Sequence, residues 1–308
     1  MRILVTGITG AVGSALAPKL LEAGHELRAL SRREPVAGEL SGEVELLRGD
    51  AVSGVGLDRA LAGVDVAYYL IHSMETAGPV GFELRERQSA ENFAFAARMA
   101  GVRRVIYLGG PVPAAGAQVS EHLASRLAVE QRLLEATPEA VAFRAAIVIG
   151  ASSRSFRFLV RLIERMPVML LPSWRKYRTA PIDERDVTAF LAAAASAPIQ
   201  GGTSLDIAGP ELVTYQELIE RIRDHMLLLR PALRFPGPPL TPIAARIAAL
   251  IAGEDPSFIS PLMDSLNNDL LARDDRAAEI FGVRRHSLDA AIEAALRRWE
   301  QSEPLAAR

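Results

Sequence analysis

The sequence predicts an α/β protein whose core is a doubly wound parallel sheet, with a smaller C-terminal lobe beside it. Three observations carry that expectation. Short apolar runs alternate with helical segments through the first half of the chain, a glycine-spaced turn separates the first run from the first helix, and the alternation lapses beyond Gly150. Strands and helices at this spacing favour a parallel sheet covered on both faces, each helix returning the chain in the same right-handed sense. The lapse predicts a sheet domain over residues 1–150 and a mixed lobe over 151–308, partly integrated with the first.

The elements follow in order. Ile3 to Val5 reads as a short buried strand, and Ala11 to Ala23 as a helix that Gly24 ends. Glu26 to Leu30 is the second strand, and Val44 to Leu47 the third, closing at Gly49 and Asp50. Leu57 to Leu61 is a short helix and Val64 to Leu70 the fourth strand. Val80 to Ala100 is a long helix with an apolar stripe, followed by a fifth strand at Arg104 to Leu108. Ser120 to Thr137 is helical and Ala140 to Ile147 is the sixth strand. Past Gly150 come a helix at Phe156 to Arg165, a proline-marked stretch from Pro167 to Pro181, a helix at Glu184 to Ala195 and a short strand at Leu205 to Ile207. Thr214 followed by Glu217 matches a capping box ahead of the helix Tyr215 to Leu228. The stretch Pro231 to Pro242 sets off a last, mostly helical region in which Ser287 caps Leu288 to Trp299.

Bulk properties narrow the function. A chain of 308 residues, 49% hydrophobic and 23% charged, buries a large core and is not extensively disordered. A formal net charge of -2 offers no positive field to a polyanion, so no nucleic-acid partner is expected. The absence of cysteine excludes disulfides, thiolate nucleophiles and Cys-ligated metal sites. His25, His122 and His286 lack metal-ligand spacing, and no metal is expected. The opening RILVTG reads as strand and turn rather than signal peptide, and runs such as Val187 to Pro198 are too short to span a membrane. The expected location is the cytoplasm, as a monomer or homodimer.

The sharpest local signal is Thr6-Gly7-Ile8-Thr9-Gly10-Ala11-Val12-Gly13. Gly7 takes backbone angles that a side chain forbids, Gly10 admits a pyrophosphate close to the chain, and Gly13 lets the helix sit tightly on the sheet. Amides at the helix start then hold a diphosphate without a buried cation. This is a Rossmann-type nucleotide turn. At the end of the second strand, where an acidic residue accepts hydrogen bonds from the ribose of NAD, the chain carries Ser31-Arg32-Arg33. Two guanidiniums and a hydroxyl suit a 2′-phosphate, so NADP(H) is the expected cofactor, with ordinary solvated arginines as the alternative. Asp50 reads equally as an adenine contact or as a turn former.

The combination TGITGAVG, SRR, GVDVAYYLIHSM, GVRRVIYLGG and PIDERDV resembles the short-chain dehydrogenase/reductase superfamily, in its atypical and extended NAD(P)-binding branch, which includes NmrA-like and related reductases. The likeness covers roughly residues 1 to 225. It implies diphosphate contacts at Gly7, Gly10 and Gly13, a 2′-phosphate contact at Arg32 and an adenine contact at Asp50. It places Leu70, Ile71, His72 and Ser73 beneath the ribose and nicotinamide, and leads from Phe143 to Ile147 toward the nicotinamide and substrate cleft. Members that reduce carbonyls typically use a Tyr four residues before a Lys, with a nearby hydroxyl. Here the matching positions are His122 and Arg126, and the end of the fifth strand reads Tyr107-Leu108-Gly109-Gly110.

Residues four apart share a helix face, so His122 and Arg126 address one cleft if that face looks into it. Histidine exchanges a proton near neutral pH, whereas arginine binds ribose hydroxyls or a substrate anion but does not serve as a base. His72, just past an apolar strand, is the second candidate proton donor, at the strand ends where open α/β sheets bind ligands. Ser125 is a further hydroxyl on the same helix as His122. Asp183 is read as a helix cap, Arg175, Lys176 and Arg178 as a basic loop beside Trp174 and Tyr177, and Val168 to Pro172 as an apolar rim or as core. The leading expectation is an NADPH-dependent reductase of a small apolar carbonyl or quinone, the latter acting as a small-molecule electron acceptor. The alternative is a non-catalytic NADP(H)-responsive regulatory or scaffold protein.

Overall fold

The computed structural model describes residues 1–33, 42–71, 82–112, 120–171, 173–234, 241–253, 255, 259, 263, 266–303 and 305. In the N-terminal half, β1 (Arg2–Thr6), β2 (Glu26–Ser31), β3 (Val44–Arg48), β4 (Val66–Tyr69), β5 (Arg104–Gly109) and β6 (Val141–Ala145) alternate with α1 (Ala11–Glu22), α2 (Leu57–Leu61), α3 (Phe82–Met99) and α4 (Glu121–Leu134). The rest of the chain supplies α5 (Arg154–Arg165), α6 (Glu184–Ala194), α7 (Tyr215–His225), α8 (Thr241–Ala252), α9 (Arg276–Phe281) and α10 (Leu288–Glu300). Its strands are β7 (Val148–Ile149), β8 (Met169–Leu171), β9 (Arg178–Thr179), β10 (Ile182–Asp183), β11 (Thr203–Ile207), β12 (Val213–Thr214) and β13 (Ala232–Arg234).

The main sheet has seven strands in the order β11-β6-β5-β4-β1-β2-β3, and every pairing in it is parallel. It is a Rossmann-type doubly wound sheet. Alternate residues of each strand feed opposite faces, as the two-residue strand period requires. On one face Ile3, Val5, Tyr68 and Phe143 pack against Leu16 and Leu20 of α1 and Val187 and Phe190 of α6. On the other, Leu4, Ala67, Tyr69 and Tyr107 meet Leu57 of α2, Phe93 of α3 and Val129 of α4. Each fully buried side chain of this size contributes about 1.5–3 kcal/mol, and the two layers fix which strand ends lie together.

Two features of the second half depart from the sequence expectation. The sixth strand does not run to Ile147: it ends at Ala145, and Val148–Ile149 form a separate strand that pairs with β10. The short strand read at Leu205 starts at Thr203 and joins the main sheet beside β6. A polar cluster holds that edge. Arg144 engages Glu130 through two guanidinium nitrogens, Ser204 donates to the same carboxylate at 2.7 Å, and Asp206 accepts from the amide and guanidinium of Arg273. The remaining core joins α5, α7 and α10 through Phe156, Val160, Leu218, Ile292 and the fully buried Trp299. Among the described residues no helix is long and apolar enough to cross a membrane.

Candidate functional site

Parallel register brings the C-terminal ends of β1, β2, β4 and β5 to one edge of the sheet. Thr6 stands beside Leu30 on one side and Tyr69 on the other, and Tyr69 stands beside Tyr107. The chain leaves β1 toward β2 and β3 in one direction and resumes at β4 on the other side, so β1 and β4 flank the topological switch point where such sheets bind ligands. Thr6 is fully buried and spans this point: its hydroxyl donates to Tyr68 O at 3.0 Å and accepts from Leu70 N at 3.2 Å.

The glycine turn is held by backbone contacts. Gly7 has φ +70, and a Cβ there would lie 2.7 Å from Leu70 O, so neither the angle nor the space admits a side chain. Gly10 N donates to Gly7 O at 3.0 Å. Gly13 sits against the turn itself, where a Cβ would fall 2.3 Å from Gly7 O. Thr9 and Gly10 are exposed, and Ala11 and Val12 half-buried. Helices α4, α6, α7 and α10 are capped by the side chains of Ser120, Asp183, Thr214 and Ser287, the third as a full capping box. Helix α1 has Gly10 at its N-cap, no capping side chain and no acidic residue in its first turn. Its leading amides and positive dipole end are therefore available to an anion, which fits the diphosphate of a dinucleotide.

At the end of β2, the Ser31 hydroxyl donates to Arg33 O at 2.7 Å and accepts from Arg33 N at 3.3 Å, closing a tight turn. Arg32 and Arg33 are both exposed on it. Asp50 forms a bridge with Val55, and its Oδ1 accepts from Val52 N at 2.9 Å. The carboxylate thus shapes the turn after β3. Leu70 and Ile71, half-buried, follow β4 directly under the glycine turn. His72 and Ser73 lie outside the described residues.

The helix after β5 resolves several sequence candidates. The backbone of His122 is placed at the second position of α4, and its side chain lies outside the described residues. Arg126, one turn on, faces inward. Its guanidinium lies over the Tyr107 ring at 4.9 Å, donates to Leu108 O and is 3.6 Å from the buried Glu86 carboxylate. Ser125 is turned the same way, its hydroxyl donating to Glu86 at 2.9 Å. Glu86 of α3 was not singled out in the sequence; its neighbours Arg85 and Arg87 read as an ordinary charged helix face, and only packing reveals that it is interior.

The tyrosines are equally committed. Tyr68 donates to Leu191 O at 2.7 Å, Tyr69 to Ser89 at 2.8 Å and Tyr107 to Arg126 O at 3.3 Å. Burial pushes all three hydroxyls well above the ordinary phenol range, and the same holds for Tyr215. All four therefore stay protonated near neutral pH. In the C-terminal part, Arg178 is tied to Asp269 at 2.7 Å and the Lys176 ammonium lies 5.4 Å from the Tyr177 ring centre. Met169, Leu171 and Trp174 are buried and, with Leu162, Met166 and Ile219, line an apolar cavity of about 30 Å³.

Residues 7–138 match the sequence model of a family described as NAD(P)H-binding. The chain is 32% identical to the (4-alkanoyl-5-oxo-2,5-dihydrofuran-3-yl)methyl phosphate reductase of Streptomyces griseus, over 76% of each chain. It is 29% identical to the ceramide reductase of Caulobacter vibrioides, over 80% of this chain and 77% of that one. A 2-alkyl-3-oxoalkanoate reductase of Stenotrophomonas maltophilia is 28% identical over 72% and 74%. Among solved structures, gox2253 superposes with a TM-score of 0.76 at 22% identity, covering 99% of both chains. The Bordetella bronchiseptica enzyme WbmH in complex with NAD+ gives 0.72 at 17%, covering 98% and 99%. These likenesses in structure are likenesses of fold.

Proposed function

This chain belongs to the short-chain dehydrogenase/reductase superfamily, in its atypical, extended NAD(P)-binding branch, and we propose that it is an NADPH-dependent reductase of an oxo group on a small acceptor with an apolar chain. The observation that carries the reading is the shared sheet edge. The uncapped amides of α1 and the Ser31–Arg33 turn lie at the ends of adjacent strands, where one molecule with a diphosphate and a 2′-phosphate engages both. Arg32 and Arg33 carry planar guanidiniums suited to the phosphate, and none of Ser31, Arg32 and Arg33 is a carboxylate that would favour a free ribose hydroxyl.

When bound, the nicotinamide supplies the hydride. The chain's own residues position the dinucleotide and handle the proton. Gly7, Gly10 and Gly13 admit the diphosphate, Thr6 holds β1 and β4 in register beneath it, and Leu70 and Ile71 floor the ribose side. Asp50 shapes the turn beside the adenine. Proton delivery is assigned to solvent, His72 or His122, since the tyrosines of the sheet and the Ser125 hydroxyl are engaged inside the protein. Arg126 braces α4 against β5 from within. An acceptor with an apolar chain is supported by the alkyl and alkanoyl groups in the names of two relatives.

The test is calorimetric binding of NADPH and NADH to purified, ligand-stripped protein, followed by NADPH oxidation with 3-oxoalkanoate and quinone acceptors. Preferred NADPH binding and turnover of the oxo acceptors support the reading. Preferred NADH binding refutes the assignment of Arg32 and Arg33, and NADPH binding without any turnover favours a regulatory protein. Turnover that is unchanged when His72 and His122 are separately replaced by glutamine refutes the proton roles.

A further inference from the structure

Three leucines of the C-terminal part stand almost entirely in solvent: Leu227 at 79% exposure, Leu229 at 98% and Leu250 at 82%. Apolar side chains this exposed mark interaction surfaces where they cluster. The segments that carry them are joined through α5. Arg230, beside Leu229, donates to Glu164 O at the end of α5 at 3.3 Å. The next residue of α5, Arg165, donates to Ile251 O at the end of α8 at 2.7 Å, beside Leu250. The turn after α7 and the ends of α5 and α8 are thus stitched together.

The turn holds its leucines outward under strain. Leu227 has φ +55 and is the non-glycine residue with a positive φ among those described. A glycine relieves that conformation, yet a leucine occupies it, held by Leu227 N to Asp224 O at 3.0 Å and Leu228 N to Arg223 O at 3.2 Å. These two bonds are the left-handed closure with which helices commonly end, and it turns the chain sharply out of α7.

The charges around the leucines are positive. Arg165 and Arg230 spend hydrogen bonds on backbone carbonyls rather than carboxylates, and Arg246, one turn before Leu250 on α8, is exposed with no carboxylate partner among the described residues. Among the described acidic groups nearby, Asp224 is paired with Arg223 at 2.7 Å, Glu164 is paired with Arg161 at 2.6 Å, and Asp255 stands beyond the end of α8. The face therefore carries an excess of positive charge on a chain whose formal net charge is -2. The apolar cavity lies just behind it: Met166 follows Arg165, and Met169 pairs with Ala232 of β13.

We propose that this face docks on the surface of an anionic lipid bilayer, with Leu227, Leu229 and Leu250 in the headgroup–acyl boundary and Arg165, Arg230 and Arg246 among anionic headgroups. Exposed leucines alone would suit any apolar partner; the three arginines, without a carboxylate partner among the described residues, select an anionic lipid surface. The docking surface stands on these residues alone. That the bilayer also supplies a substrate with an apolar chain rests on the reductase reading.

Sedimentation of the full chain with vesicles tests it, using equal parts phosphatidylglycerol and phosphatidylcholine against phosphatidylcholine alone. Binding to the anionic vesicles is expected, weakening as salt is raised. Arg246→Gln lowers it about fivefold, and Leu229→Asp combined with Leu250→Asp lowers it about tenfold or more. In the leucine variant, NADPH affinity and reduction of a short, water-soluble oxo acceptor stay at the parent level, showing that the fold is intact. Equal binding to both vesicle types, no binding, or binding indifferent to the leucine changes overturns the proposal. So does a parent chain that elutes as a dimer, ignores vesicles and becomes monomeric on the leucine changes, which assigns the face to a second copy. Vesicle binding by a chain that does not bind NADPH supports the docking surface and refutes the reductase reading.

Discussion

Replacing Gly13 by alanine separates the two jobs of the glycine turn. The added Cβ falls 2.3 Å from Gly7 O and 2.7 Å from Ile8 Cα, both backbone atoms that no rotamer change can move. Contacts of this kind settle at about 3.5 Å, so α1 and the turn must separate by about 1 Å. Overpacking of that order destabilises by about 1–3 kcal/mol, and Tm falls by roughly 2–4 °C for each kcal/mol. The same displacement carries the leading amides of α1 away from the diphosphate. Hydrogen bonds to a charged group are worth about 1.5–3 kcal/mol, so losing one weakens NADPH binding by about 10–100-fold. Gly10→Ala is the control. Gly10 has φ -76, and its Cβ meets only Gly7 O at 3.1 Å, on an exposed surface. It costs at most about 1 kcal/mol in stability yet obstructs the diphosphate, weakening binding about tenfold or more. Thermal unfolding and calorimetric titration of both variants provide the comparison. A Tm loss in Gly10→Ala as large as in Gly13→Ala, or unchanged NADPH affinity in Gly13→Ala, would refute the reasoning.

Three further outcomes are expected. Arg32→Ala weakens NADPH binding about 10–100-fold and leaves NADH binding unchanged, because only the 2′-phosphate loses a charge-assisted partner; a parallel fall for both cofactors in calorimetry contradicts that role. Arg126→Met leaves the Glu86 carboxylate buried beside an uncharged side chain and lowers unfolding stability by about 3–5 kcal/mol in urea titration, whereas adding Glu86→Gln recovers a large part of the loss. Burial pushes the Asp206 carboxyl up to about 6, with Arg144 opposing the shift and Asp274 and Glu130 reinforcing it. The folded state therefore holds this proton more tightly than the unfolded chain, and stability contributed at low pH is lost as pH rises from about 4 to about 6. Asp206→Asn removes that slope, so the variant gains on the parent across this window, by at most about 1.4 kcal/mol per pH unit; parallel pH–stability curves for the two proteins exclude the shift.

The parts legible in the sequence are those set by local chemistry. Apolar runs of strand length and the helices between them located all six N-terminal strands to within a few residues, because the two-residue and 3.6-residue periods are written in consecutive side chains. The caps at Asp183, Thr214 and Ser287 follow from short-range hydrogen bonding to the next turn. So does the glycine turn, whose steric demands at Gly7 and Gly13 are met within one loop and the strand beside it.

Long-range packing decided the rest. That Thr203–Ile207 complete the main sheet, 58 residues after β6 ends at Ala145, depends on Glu130, Arg144, Ser204 and Asp206 meeting across the fold, and no local pattern records that meeting. Nor does spacing tell which way a helix face turns. His122 and Arg126 share a face by count, yet the guanidinium of Arg126 is drawn inward by Glu86 of α3 and by Leu108 O and the Tyr107 ring of β5, groups from two other stretches of chain. A side chain's periodicity is fixed by its own helix; its partner is fixed by whatever the fold packs against that helix.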